Sequence, residues 1–126
     1  MGTHANLLAF QVSYEFGLAV IRSTEHWPKR EMFGLSAQAR RASTSISINI
    51  AEGVAKRGCR ELRRYLDISL GSLAEVEVII CFARDLQFVS VTEAQELERL
   101  RTRAAQLTWR LYESTRLGRG RPDSTH

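Results

Sequence analysis

ELRRYLDISLGSLAEVEVIICFARDL, residues 61–86, carries apolar or small side chains at alternating steps of four and three: Leu62, Leu66, Ser69, Leu73, Val76, Ile80 and Ala83. That spacing keeps them on one face of a helix. A second line, Leu70, Ala74, Val78 and Cys81, lies well around the helix from the first, and a third, Ile68, Ser72, Ile79 and Phe82, on yet another side. The C-terminal half is therefore apolar nearly all round, which predicts a helix buried on more than one side.

Three further helices follow from the flanking sequence. Upstream, residues 6–26 carry two apolar stripes: Leu7, Phe10, Tyr14, Leu18 and Ile21, and then Leu8, Ala9, Val12, Phe16 and Ala19. One bundle core needs one stripe per helix, so the second predicts a contact with another copy of the chain. His26-Trp27-Pro28 ends this helix, because the residue before proline disfavours the α region. Met32 and Phe33 are expected to plug the bundle end, with Gly34 at a turn.

Residues 35–57 are ambiguous locally. Ile46, Ile48 and Ile50 alternate with polar residues, a strand signal, yet Leu35, Ala39, Ala42, Ile46, Ile50 and Gly53 also share a helical stripe. No second strand exists for it to pair with, so helix is the reading, with Ser36 as N-cap. Ile48 then points away from the seam. The central helix begins near residue 60 and runs to 86. Thr92 with Gln95 forms a capping box for a fourth helix, 92–117, whose seam is Leu97, Leu100, Ala104, Leu107 and Leu111. Glu96–Arg99 and Glu98–Arg101 read as solvated ion pairs. The apolar-free tail 118–126 is expected to be disordered. The prediction is one all-α domain, an up-down-up-down antiparallel four-helix bundle, assembled into an oligomer through Leu8, Val12, Phe16, Ile48, Leu70, Ala74 and Val78.

At 126 residues the chain can hold one core without metal or disulfide support. It has no stretch of about 18 uncharged apolar residues to span a membrane. No basic segment precedes an apolar core at the N-terminus, so no secretory leader is expected and the expected location is cytoplasmic. Cys59 and Cys81 form neither a CxxC motif nor a disulfide framework, and Cys81 reads as a small core residue. Net charge is +4, and of the 18 basic residues only Lys29 and Lys56 are lysines. Arginine's planar fork suits phosphate, although an arginine-rich proteome gives the same excess.

The run Phe33-Gly34-Leu35-Ser36-Ala37-Gln38-Ala39-Arg40-Arg41-Ala42, then Ser45-Ile46 and Asn49-Ile50-Ala51-Glu52-Gly53, resembles the 23S rRNA intervening-sequence proteins, also called four helix bundle proteins. Leu70-Gly71-Ser72-Leu73-Ala74-Glu75 is a second matching block, and Phe10-Gln11 and Trp27-Pro28 match two more, all in one register over residues 7–115. Ser47 departs from the family's proline and Gly58 from its capping serine. The resemblance implies a bundle assembled as a homopentameric ring, similar in fold to the accessory variability protein of diversity-generating retroelements, which contacts reverse transcriptase and RNA. Many members are encoded within insertions in rRNA genes, which by itself does not show RNA binding. Gly71, between Ser69 and Ser72, is expected to allow close helix packing.

The densest charge is Lys56, Arg57, Arg60, Arg63 and Arg64, with Arg40 and Arg41 also off the helix-two seam. Such a group attracts a polyanion, RNA or DNA, by phosphate contacts and counterion release. The competing reading is a solvated face serving assembly and solubility in a protein–protein scaffold. No aromatic is interleaved among these arginines, which argues against a stacking platform. Arg119-Gly120-Arg121-Pro122 resembles the core of a minor-groove hook, on only four residues. Glu52 and Glu75 read as partners of arginines rather than as an acid/base couple or metal site. There is no Glu-x-x-His for a di-metal bundle, no nucleophile–His arrangement and no phosphate loop. The expectation is a non-enzymatic protein without metal or cofactor.

Overall fold

The computed structural model describes residues 4–116, four helices with no strand among them: α1 (His4–Thr24), α2 (Leu35–Ala55), α3 (Gly58–Asp85) and α4 (Val91–Arg116). A short 3-10 turn, Lys29–Glu31, interrupts the connection between α1 and α2. The expectations for residues 118–126, including the Arg119–Pro122 motif, lie outside the described residues.

Each helix packs on two neighbours, α1 on α2 and α4, α3 on α2 and α4, which closes a four-helix bundle. Cross-links set the directions. Ser69 Oγ donates to the Ile46 carbonyl at 2.9 Å and Ser72 Oγ to Ser45 Oγ at 3.0 Å, so α3 runs antiparallel to α2. Arg63 reaches the Thr115 carbonyl and Arg101 the Leu73 carbonyl, each at 3.4 Å, so α4 runs antiparallel to α3. Ser23 Oγ donates to Glu93 Oε2 at 2.6 Å, joining the end of α1 to the start of α4.

The decisive seam holds: Leu62, Leu66, Ser69, Leu73, Val76, Ile80 and Ala83 are all buried, against Ile46 and Ile50 of α2 and Leu97, Ala104 and Leu111 of α4 in one core. α2 is helical through Ser45–Ile50, as the longer stripe required. Two glycines let backbones approach. A Cβ on Gly17 would lie 3.3 Å from the Ser43 carbonyl oxygen, and one on Gly53 only 2.8 Å from Tyr65 Cβ.

Several expectations change. On α1 the buried stripe is Ala9, Val12, Phe16 and Val20, with Ser13 and Gly17, whereas Leu7 and Tyr14 are exposed. The second stripe rather than the first faces the core, because Ser13 and Gly17 beside it admit close packing that bulky Tyr14 would prevent. Val12 and Phe16, expected at a subunit contact, are thus core residues of the chain itself. Met32 and Phe33 are exposed; the bundle end is closed by Trp27, whose ring lies 5.9 Å from Phe88 and whose Nε1 donates to Ser23 Oγ. Cys81 is exposed and Cys59 buried. A Cβ on Gly71 would meet no atom of the described residues within 4 Å, so Gly17 and Gly53, not Gly71, mark the close approaches.

The caps also shift. Gly34 holds the N-cap position of α2, and Glu31 Oε1 accepts the Leu35 N–H at 3.2 Å; Ser36 is buried inside the helix. For α4 the cap is Ser90, whose Oγ accepts the Glu93 N–H at 3.0 Å, two residues before Thr92. Arg101 is no solvated partner of Glu98: its side chain is 12% exposed and it also reaches Glu77 on α3. At the end of α3, Gln87 adopts φ 63° while the Phe88 N–H bonds the Ala83 carbonyl and the Gln87 N–H bonds the Arg84 carbonyl, a Schellman closure without glycine.

Candidate nucleic-acid interface

Only Lys56 and Arg57 separate α2 from α3, and Gly58 opens α3 at φ 82°, a left-handed conformation that a β-carbon would strain. This tight reversal gathers the basic group at one end of the bundle. Lys56, Arg57, Arg60 and Arg64 are exposed and Arg63 is half-buried. Arg57 stands at the N-cap position of α3 without a side-chain capping bond, so the positive end of the helix dipole adds to the cations around it.

The neighbours differ from one cation to the next. Arg64 lies 3.4 Å from Glu61, whose hydrogen bond raises the guanidinium pKa and keeps it charged. The Tyr65 ring carries Arg64 at 4.5 Å and Lys56 at 5.7 Å from its centroid, a cation–π arrangement that holds both heads above one ring. Arg63 is turned toward α4, on the Thr115 carbonyl. Lys56, Arg57, Arg60 and Arg63 make no ion pair with a carboxylate among the described residues.

Arg40 and Arg41 do not join this group. They lie about 20 Å up α2 from the turn, at 1.5 Å per residue. Arg40 donates to the Met32 carbonyl and Arg41 sits 3.8 Å from Glu75. Glu75 is therefore an arginine's partner, and Glu52, about 16 Å farther along α2 than Arg41, is no acid/base companion for it.

Of the expected interface residues outside the core, Ile48 and Val78 are 53% and 54% exposed, Ala74 is exposed, and Leu8 and Leu70 are half-buried. With Ile68, Gly71 and Phe82, also exposed, they leave apolar side chains facing solvent on the outer sides of α2 and α3, alongside exposed Asp67 and Glu75. The all-round apolar pattern of α3 is thus satisfied on one side only within the chain.

Sequence reasoning missed two clusters. At the opposite end from the arginines, Glu93 accepts from Ser23 through one oxygen and meets His26 Nε2 at 3.3 Å through the other. The serine and the imidazole share a carboxylate rather than touching each other, so this is a structural latch without a nucleophile–base contact. The other cluster is aromatic. Trp109 and Tyr112 stack with centroids 5.3 Å apart and planes 18° from parallel, and Trp109 is half exposed. Their i, i+3 spacing was visible, but their position opposite the N-terminal half of α3 depends on how α4 pairs with α3.

Residues 5–110 match the model of the family described as 23S rRNA-intervening sequence protein. The match covers most of the chain, and the chain belongs to that family. Among solved structures, the fold is similar to a protein of unknown function from the S23 ribosomal protein family of Bacteroides thetaiotaomicron, with a TM-score of 0.80 at 18% identity, covering 86% of this chain and 98% of that one. No curated protein matches the sequence.

Proposed function

We propose that this member of the 23S rRNA-intervening sequence protein family is a non-enzymatic homo-oligomer that binds nucleic acid, RNA foremost, through the basic end formed by the α2–α3 turn. The observation that carries the reading is the set Lys56, Arg57 and Arg60, exposed, gathered by a two-residue turn and without carboxylate partners among the described residues. Cations satisfied by neighbouring acids form an ordinary solvated face, whereas cations left open attract phosphate. Arg63 and Arg64 widen the patch, and the uncapped start of α3 favours an anion at the same place.

Assembly is supported by a separate feature. Ile48, Ile68, Val78 and Phe82 are each more than 40% exposed, on the outer sides of two adjacent helices. A Cβ on Gly71 among them would meet none of the described residues, and a helix-interior glycine costs about 1 kcal/mol relative to alanine. A second copy of the chain over this face would bury the apolar side chains and use the missing bulk. Repeated around a ring, each copy then contributes one basic end, multiplying the attraction for a polyanion.

Salt separates the two contributions. Three open cations per engaged protomer give a log–log slope of about −2 to −3, so affinity for structured RNA falls about 20- to 40-fold between 50 and 200 mM salt. Assembly driven by apolar burial persists over the same range. Ile48→Glu with Val78→Glu should lower the oligomer mass while leaving helicity intact. RNA binding that is absent at low salt discards the nucleic-acid reading, and an unchanged mass in the double variant discards the proposed contact face.

A further inference from the structure

We propose that Trp109, stacked on Tyr112 beside the basic end, is a platform for an unpaired base, so that the preferred ligand is single-stranded rather than duplex nucleic acid. The inference rests on the nucleic-acid reading above and specifies its ligand. In sequence, Trp109 is far from the arginine group; in the fold it is not. The bonds from Arg63 to the Thr115 carbonyl and from Arg101 to the Leu73 carbonyl fix the antiparallel register of α3 and α4. On that register Trp109 and Tyr112 lie opposite the part of α3 between Arg63 and Leu70. On the same register Arg63 lies within a turn of Tyr112 and about 9 Å along the helices from Trp109, Arg60 about a turn farther, and Arg116 two turns along α4 from Trp109.

The chemistry fits a single strand. An indole that is 50% exposed and backed by a second ring presents a flat, rigid π-face. Bases stack on such a face whatever their sequence, provided they are not already stacked and paired inside a duplex. The strand's phosphates then meet Arg60 and Arg63, neither of which has a carboxylate partner among the described residues, while Arg116 is held 2.9 Å from Glu113. Tyr112 is half-buried against the core, so it supports the indole rather than competing for the base. The local acids are Asp67 on α3 and Glu113 on α4. Asp67 takes no part in an ion pair among the described residues, so it weakens the groove's positive potential at its inner end and orients the strand toward Arg60.

The test uses the full chain and two RNA probes of equal length, an unstructured single strand and a blunt duplex. Trp109→Ala should weaken single-strand binding about 5- to 100-fold and change duplex binding less than about twofold, and Trp109→Phe should retain most of the affinity. In Trp27→Phe, which leaves Trp109 as the only tryptophan, the single strand should quench the fluorescence and the duplex should not. Three results would overturn the proposal. Single-strand binding that survives Trp109→Ala but is lost on reversing Arg57, Arg60 and Arg64 keeps the nucleic-acid reading and removes the platform. A fall in oligomer mass in Trp109→Ala makes the indole an anchor for another protein surface instead. Failure of both probes to bind at low salt removes the underlying reading together with this one.

Discussion

Gly53→Ala tests whether the α2–α3 contact that creates the basic end is as close as described. The new Cβ would sit 2.8 Å from Tyr65 Cβ, 3.1 Å from Leu62 Cδ1 and 3.4 Å from the Leu62 carbonyl oxygen. The nearest of these atoms is fixed to the backbone and has no rotamer by which to withdraw, and Leu62 is fully buried in the core. The two helices must therefore separate locally, an overpacking cost of about 1–3 kcal/mol. Alanine's better helix propensity offsets up to about 1 kcal/mol, less in a last turn. A net loss of about 1–2 kcal/mol is expected in urea unfolding, read as a lower midpoint at unchanged slope. Gly17→Ala, with its nearest atom at 3.3 Å, should cost less. A Gly53→Ala variant as stable as the parent, or a reversed order of the two, would refute the reasoning.

Other outcomes follow from single contacts. Gln87→Gly should stabilise by about 0.5–1 kcal/mol in thermal unfolding, since Gln87 holds φ 63° at the close of α3, where glycine carries no steric penalty. Glu93→Ala removes the acceptor of buried Ser23 Oγ and the partner of His26, and should cost about 1–3 kcal/mol in the same assay. The Arg101 guanidinium, hydrogen-bonded to Glu98, holds that carboxyl below its usual pKa. The ionised form is thus favoured by folding, so this contribution is complete above the unfolded-state pKa and is lost as pH falls through the lower folded-state value. Unfolding curves across the acid range should show that loss in the parent and a smaller one in Arg101→Met.

Much of the fold was legible because α3 places seven consecutive seam positions without a polar interruption larger than Ser69. The helix reading also held over residues 35–55, though not for Lys56 and Arg57, because the six-position stripe ending at Gly53 outweighed a short alternation. What stayed hidden turned on size and distance rather than polarity. The two stripes of α1 are equally apolar, and only the partner surface at Ser43 decides that the side carrying Gly17 goes inward. Thr92 and Ser90 both satisfy a capping pattern, Thr92 with Gln95 and Ser90 with Glu93, and a choice between them needs the backbone. Within the candidate site, Lys56–Arg64 was legible because contiguous residues around a tight turn stay together. Arg40 and Arg41, also expected to bind nucleic acid, lie about 20 Å up α2 from the turn, a distance set by helical rise. Trp109 was missed for the converse reason, since the pairing of α4 with α3 brings it to within about two turns of Arg63.

Nucleic-acid binding by the open cations of the α2–α3 turn is the function proposed for this bundle. Its most direct test is an anisotropy titration of structured RNA at low salt with the parent and with Arg57→Glu/Arg60→Glu/Arg64→Glu, oligomer mass and helicity being checked for both. The account predicts salt-sensitive binding by the parent and a loss of at least about 100-fold in the variant, since three phosphate-attracting charges become repulsive, with mass and helicity unchanged. Equal binding by the two proteins, or none by the parent, would contradict it.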